Sequence, residues 1–190
     1  MLAKKLTKKE ELLTLKLKEV MEGIGFNTKT ENTKNTPKRI LNVWKWFMQN
    51  EGKDCSTEFS VTFPAEGFDG ILIVKNIRIT NLCIHHALPF LTSLSVAVRL
   101  KDRVPGLSKY ARTIELLGNR FSMQEQISAM CMQAIKDKLN PAGALVYAEA
   151  VHSCIACRVK SAMDSQAITI QTYGEFDNSE NRNFVLNLLK

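Results

Sequence analysis

All three histidines of this chain stand within three residues of a cysteine, in two clusters: Cys83, His85 and His86 in "CIHHALPF", and His152, Cys154 and Cys157 in "HSCIACR". Thiolate and imidazole are ligands that a tetrahedral zinc ion takes, and the i, i+3 spacing of Cys83 and His86 closes a compact chelate. A strand through the second cluster would turn His152 and Cys154, two residues apart, to one face. A fold that joins the clusters admits two metal sites. In the first, Cys83, His86, Cys154 and Cys157 close a four-ligand structural zinc, and His85 and His152 stand outside it. In the second, Cys83, His86 and Cys154 leave a position for water, whose pKa zinc lowers to roughly 7, and His85 and His152 handle protons beside it. Buried cysteines and satisfied histidines without a metal are the third reading. Spacing alone leaves the two metal sites open.

Five cysteines are an odd number and too sparse for a disulfide scaffold, which suits thiols that fill a core or bind metal. The opening "MLAKKLTKKEELL" has lysines with no apolar run behind them, and no stretch of about 18 apolar residues follows, so a cytoplasmic protein with no membrane partner is expected. A net charge of +7 favours an anionic partner without naming it. Between Arg99 and Arg120 six basic residues (Arg99, Lys101, Arg103, Lys109, Arg112, Arg120) face only Asp102 and Glu115. The one aromatic residue there, Tyr110, reads as a core position of the following helix, so no aromatic series interleaves for base stacking; a phosphate site or a solvated surface is expected, and no nucleic-acid groove.

The hydrophobic pattern begins helical. Thr7 and Glu10 form a capping box ahead of Leu13, Leu17, Val20, Met21 and Ile24. A second helix follows in "TPKRILNVWKWFM", with Thr36 as cap, Pro37 at its first position and Ile40, Trp44, Phe47 and Met48 inward. From Thr57 the period falls to two at Phe59, Val61 and Phe63, and "GILIVKNIRIT" reads as one or two strands broken near Lys75 and Asn76. "LSVAVRL" alternates as well. Ser108 caps a helix over Tyr110, Ile114, Leu117 and Phe121; Ser122 opens another over Ile127, Cys131 and Ile135, stopped by Asn140, Pro141 and Gly143. "ALVYAEAVHSC" and "AITIQTYGEF" read as strands, and the last dozen residues as a short helix or a frayed tail. Without strict βα alternation or a glycine-rich phosphate loop, the class is α+β with antiparallel strands. The period change divides the chain into an N-terminal helical region, 1–56, and a compact unit, 57–190.

"CIHHALPF", "VPGLSKYAR", the pair Gln124 and Glu125, and "HSCIACR" resemble, in order and separation, the signature segments of GTP cyclohydrolase I: CEHH, GLSK followed by a basic residue, QE, and HxC with a downstream arginine. "TPKRI" is similar to that family's N-terminal region, and the resemblance spans roughly residues 10–190. It implies a tunnelling fold, an antiparallel sheet with two helices on one face, assembled as a ring-like homo-oligomer, a decamer, with active sites between subunits. It implies GTP as substrate and Zn2+ as cofactor held by Cys83, His86 and Cys154, with Cys157 outside the ligand set and His85 and His152 moving protons. Glu125, supported by Gln124, would hold the guanine through its N1 and 2-amino groups. Ser108, Lys109, Arg112 and Arg158, with Arg39 of "TPKRI", would hold the triphosphate.

These residues also have plain structural readings. Ser122 and Glu125 have capping-box spacing, and Ser108 is a good helix cap. A serine, a lysine and an arginine at one helix start are equally what an anion site needs. The chain departs from the family pattern at Ile84, where a glutamate is usual, and at Thr92, Val98, Gln126 and Val159, near or at positions where glycine, tyrosine, arginine and glycine are usual.

Overall fold

The computed structural model describes residues 6–189, and the chain divides into two units, Met1–Gln49 and Asn50–Lys190. In the first unit, α1 (Lys8–Gly23) starts at the expected capping box: the Thr7 hydroxyl accepts from Glu10 N–H (3.3 Å) and the Glu10 carboxylate accepts from Thr7 N–H (2.7 Å). Lys45, on α2 (Thr36–Trp46), also reaches Glu10, and with the Thr7 bonds it draws that carboxyl down to about 2. Thr36 is the first helical residue rather than the cap, and Asn35 ahead of it makes no side-chain capping bond. Pro37 explains this, since it removes one of the two N–H groups a cap would serve. Of the expected inward stripe Phe47 is buried and Ile40 half-buried, whereas Trp44 and Met48 are exposed and Leu41 is buried in their stead. α1 buries none of its residues, and Leu12, Leu13, Leu15 and Val20 are exposed.

In the second unit a 3-10 helix, Cys55–Ser60, stands where alternation suggested a strand; only Thr62–Pro64 is extended, as β1. Cys55 and Phe59, four residues apart, both face the core, and Phe59 packs edge-on against Tyr110 at 5.2 Å. Asp54 holds the turn by accepting from Ser56 N–H at 2.8 Å.

The sheet then builds from β2 (Ile71–Cys83) and β3 (Pro89–Arg99). The break near Lys75 and Asn76 is a bulge between Val74 and Ile77, where Asn76 takes φ 61° and donates its N–H to Ser95 Oγ (3.1 Å). After β4 (Arg103–Pro105), which pairs with β1, come α3 (Leu107–Leu117), β5 (Phe121–Ser122), α4 (Gln124–Leu139), β6 (Gly143–His152), α5 (Ser153–Ala156), β7 (Ala167–Gly174) and α6 (Ser179–Leu189). The strand order is β5-β2-β3-β6-β7. The four long strands are antiparallel, as expected, but β5 joins β2 in parallel over two residue pairs, which makes the sheet mixed.

Strand alternation sorts two cores. Phe90, Leu94, Val96 and Val98 of β3 and the even-numbered residues of β6 pack with Tyr110, Ile114 and Leu117 of α3 and Ile127, Cys131 and Ile135 of α4. Residues of the other parity, Ala97 and Leu145, pack with Phe176 and with Val185 and Leu189 of α6, so the chain's end is a docked helix. Cys55 and Cys131 are core thiols; burial pushes Cys131 up to about 12.

Between β7 and α6 the chain turns at Gly174, φ 64°, where an added Cβ would lie 2.2 Å from the Ala142 carbonyl oxygen. Gly174→Ala is expected to cost about 2 kcal/mol or more and to lower the melting temperature by roughly 4–8 °C, measured by thermal unfolding.

Candidate active site and metal centre

Three strand ends meet at the site. β2 delivers Cys83, and the chain reverses at once: the Cys83 carbonyl accepts from the N–H groups of His86 (3.3 Å) and Ala87 (2.9 Å), while Cys83 N–H donates to Leu88 O (2.8 Å). Ala87 takes a φ of 52° to allow this turn. The reversal folds His86 back over Cys83, with Nδ1 at 3.6 Å from Sγ; His85 Nδ1 stands at 3.9 Å. β3 then starts, and Phe90 sits opposite His152, the last residue of β6. Their rings stack at 4.7 Å, 7° from parallel.

The second cluster does not continue as a strand. β6 ends at His152, and a helical turn begins in which Cys157 N–H donates to Ser153 O (3.0 Å). Cys154 therefore leaves the extended alternation expected for it and turns toward the first cluster. The ligand atoms of Cys83, His86 and Cys154 all lie within 4.8 Å of one another. Cys157 lies outside that group and is exposed.

The donor set suits a divalent ion. Zinc bonds of about 2.3 Å to sulfur and about 2.0 Å to nitrogen, at tetrahedral angles, place those two ligands about 3.5 Å apart; Cys83 Sγ and His86 Nδ1 stand at 3.6 Å. Both cysteines are buried. The Cys154 thiol is pushed up by burial and by the adjoining Cys83 sulfur, against a smaller pull from Arg158. A cation between the two sulfurs would offset the burial and the neighbouring sulfur that oppose the Cys154 thiolate.

Arg158 crosses the centre. Its Nε donates to the Cys154 carbonyl (2.8 Å) and its Nη2 to His86 Nε2 (3.0 Å). Ile84, in the place of the usual glutamate, donates its N–H to Ser122 O (3.2 Å) and leaves its side chain 49% exposed.

Gln124 and Glu125 open α4 and diverge. Gln124 is buried, its amide nitrogen donating to the carbonyls of Ala148 and Ala167 at 3.0 Å each, while His152 Nε2 lies 2.9 Å from its Oε1. Glu125 is exposed. The cap of α4 is made by Gln126, whose side-chain oxygen accepts from Met123 N–H (3.2 Å), so the Ser122 to Glu125 capping box does not form. His152 is pulled down by burial, and the charge of Glu125 acts the other way.

The start of α3 carries Ser108, Lys109 and Arg112, with Ser108 inside the first turn and Gly106 at the cap, against the expectation that Ser108 caps. Ser108 and Arg112 are exposed, and Lys109 pairs with Glu58 at 3.4 Å. No hydrogen bond among the described residues links these three to the metal-ligand group. Much of the basic stretch is engaged: Arg99 with Asp69 (3.1 Å) and Glu175 (3.6 Å), Arg103 with Thr62 (2.8 Å), and buried Arg120 with the carbonyls of Leu116 (2.8 Å) and Lys53 (2.6 Å). Arg39 is exposed on α2, in the first unit.

Sequence reasoning missed Phe90, Ser128 and Thr169. Ser128 bridges Gln124 O (3.1 Å) and the Thr169 hydroxyl (2.6 Å) behind the site. Its signal was a hydroxyl on the same helix face as Ile127, Cys131 and Ile135. Phe90 carried none beyond its place opposite His152.

Residues 13–190 match the family model described as GTP cyclohydrolase I. The GTP cyclohydrolase 1 of Streptococcus pyogenes serotype M49 is 33% identical over 180 residues, 90% of this chain and 92% of its own. That of Listeria welshimeri is 34% identical over 176 residues, covering 92% and 93%. Among the described residues no helix is long and apolar enough to cross a membrane.

Proposed function

Since this chain belongs to the GTP cyclohydrolase I family and is a hydrolase of that type, we propose that it opens the purine ring of GTP at C8, releases formate and yields 7,8-dihydroneopterin triphosphate. The observation that carries the reading is the convergence of Cys83, His86 and Cys154 beside His85 and His152. Those three ligands would hold zinc. When bound, zinc supplies the Lewis acidity that activates water for addition to an electron-poor carbon.

The rest falls to the chain's own residues. His152 delivers a proton to N7 as the C8 bond opens, and burial keeps its imidazole from holding that proton too firmly. His85 is the second proton carrier. Glu125, free of the capping role, accepts from the guanine N1–H and 2-amino group, with charge-assisted bonds. Ser108, Lys109, Arg112 and Arg158 take the triphosphate; exchanging Glu58 for phosphate releases Lys109 to do so.

The second unit is the tunnelling fold, with α3 and α4 on one face of the sheet, and it works as a cytoplasmic homo-oligomer, a decamer. The exposed Ile168 and Ile170 on β7, last in the strand order, and the exposed apolar residues of α1 are surfaces that neighbouring subunits would cover.

The test is to incubate the zinc-loaded protein with GTP and assay formate and the fluorescent oxidised pterin. Both are expected in equal amounts. A folded, zinc-loaded protein that gives neither overturns the proposal.

A further inference from the structure

The Gln124 side chain is assigned by its partners. Ala148 O and Ala167 O, each 3.0 Å from one end of the amide, can only accept, so that end is the NH2 group and the other is the carbonyl oxygen. His152 Nε2 lies 2.9 Å from that oxygen. An amide oxygen cannot donate, so the bond exists only if Nε2 carries the hydrogen. Two further contacts stop the amide from turning over: Thr169 Oγ1 lies 3.4 Å from the same nitrogen, and Ser128 Oγ holds Thr169 at 2.6 Å and the Gln124 backbone carbonyl at 3.1 Å. Gln124 is 2% exposed, so water does not compete for it. The imidazole plane is fixed by Phe90, stacked on it at 4.7 Å.

We propose that Gln124 is a positioning residue that holds His152 as the Nε2–H tautomer, leaving Nδ1 as the one ring atom that takes and gives the transferred proton. The roles rest on the GTP reading above; the tautomer does not. In that reaction Nδ1 takes a proton from water, the ring becomes imidazolium with its Nε2–H still on the Gln124 oxygen, and Nδ1 passes the proton to N7. No atom is gained or lost by the ring. The partner of one ring nitrogen sets the chemistry of the other. This separates Gln124 from Glu125: with both amide hydrogens given to the backbone, Gln124 keeps none for a base.

Three histidines make the test direct. The zinc-loaded full chain is labelled with 15N in the histidine rings, and His152 is assigned by its absence from the spectrum of His152→Asn. Long-range proton–nitrogen correlation is expected to show His152 as a single Nε2–H tautomer with a slowly exchanging ring proton. An Nδ1–H form, or an even mixture, overturns the proposal. Gln124→Met removes the acceptor at similar length. It is expected to release the tautomer into a mixture and to lower kcat by about 10- to 100-fold, within the range of a proton-transfer group, with KM for GTP changed little. A folded, zinc-loaded Gln124→Met with the wild-type tautomer overturns the assignment. Should that variant not fold, the wild-type spectrum alone decides. Absence of formate from the wild type removes the GTP reading and leaves the tautomer result standing.

Discussion

Cys154→Ser is expected to strip the bound metal and to lower formate release from GTP by about a thousandfold or more, the scale of losing the ion that activates water. Cys157→Ser is expected to keep the metal and a rate within about twofold, as surface substitutions do. The contrast follows from three residues of helical turn. Cys154 lies in the group spanning 4.8 Å, whereas Cys157 stands exposed outside it. A closed four-ligand site requires both variants to lose the ion equally, so metal analysis of the two purified proteins separates a centre open to water from a saturated one. Serine keeps the size of cysteine, so a loss confined to position 154 reports on the ligand atom.

His152→Asn is expected to lower kcat by about 10²- to 10⁴-fold with metal content unchanged, because the proton carrier goes while the ligands stay. Asparagine suits the position, which caps α5, so the turn that presents Cys154 should persist. Steady-state kinetics and metal analysis on one preparation check both halves. A kcat within tenfold of wild type would move the proton role to His85, whose Nδ1 lies 3.9 Å from Cys83 Sγ.

Much of the fold is legible in short stretches of the sequence. The Thr7 and Glu10 box, the interruption near Asn76 and the helix stop at Asn140, which takes a left-handed φ of 41°, are local, and each announces itself within a few residues. The convergence of Cys83, His86 and Cys154 is legible too, because the donor chemistry leaves few other uses for such residues. What stays hidden depends on packing. Cys55 and Phe59 fit a helical turn as well as Phe59 and Val61 fit a strand, and the helical turn is the one that buries both Cys55 and Phe59, the latter against Tyr110. At the start of α4 the cap pairs Met123 with Gln126 and not Ser122 with Glu125, because β5 runs through Ser122. The stripe on α1 obeys helical spacing yet is not buried among the described residues.

A single amide also ties chemistry to architecture. It stands on α4, grips β6 through Ala148 and β7 through Ala167, and meets the ring at the end of β6. β7 closes the strand order. The outermost strand and the imidazole thus share one anchor, and a shift of β7 would reach the ring through two hydrogen bonds.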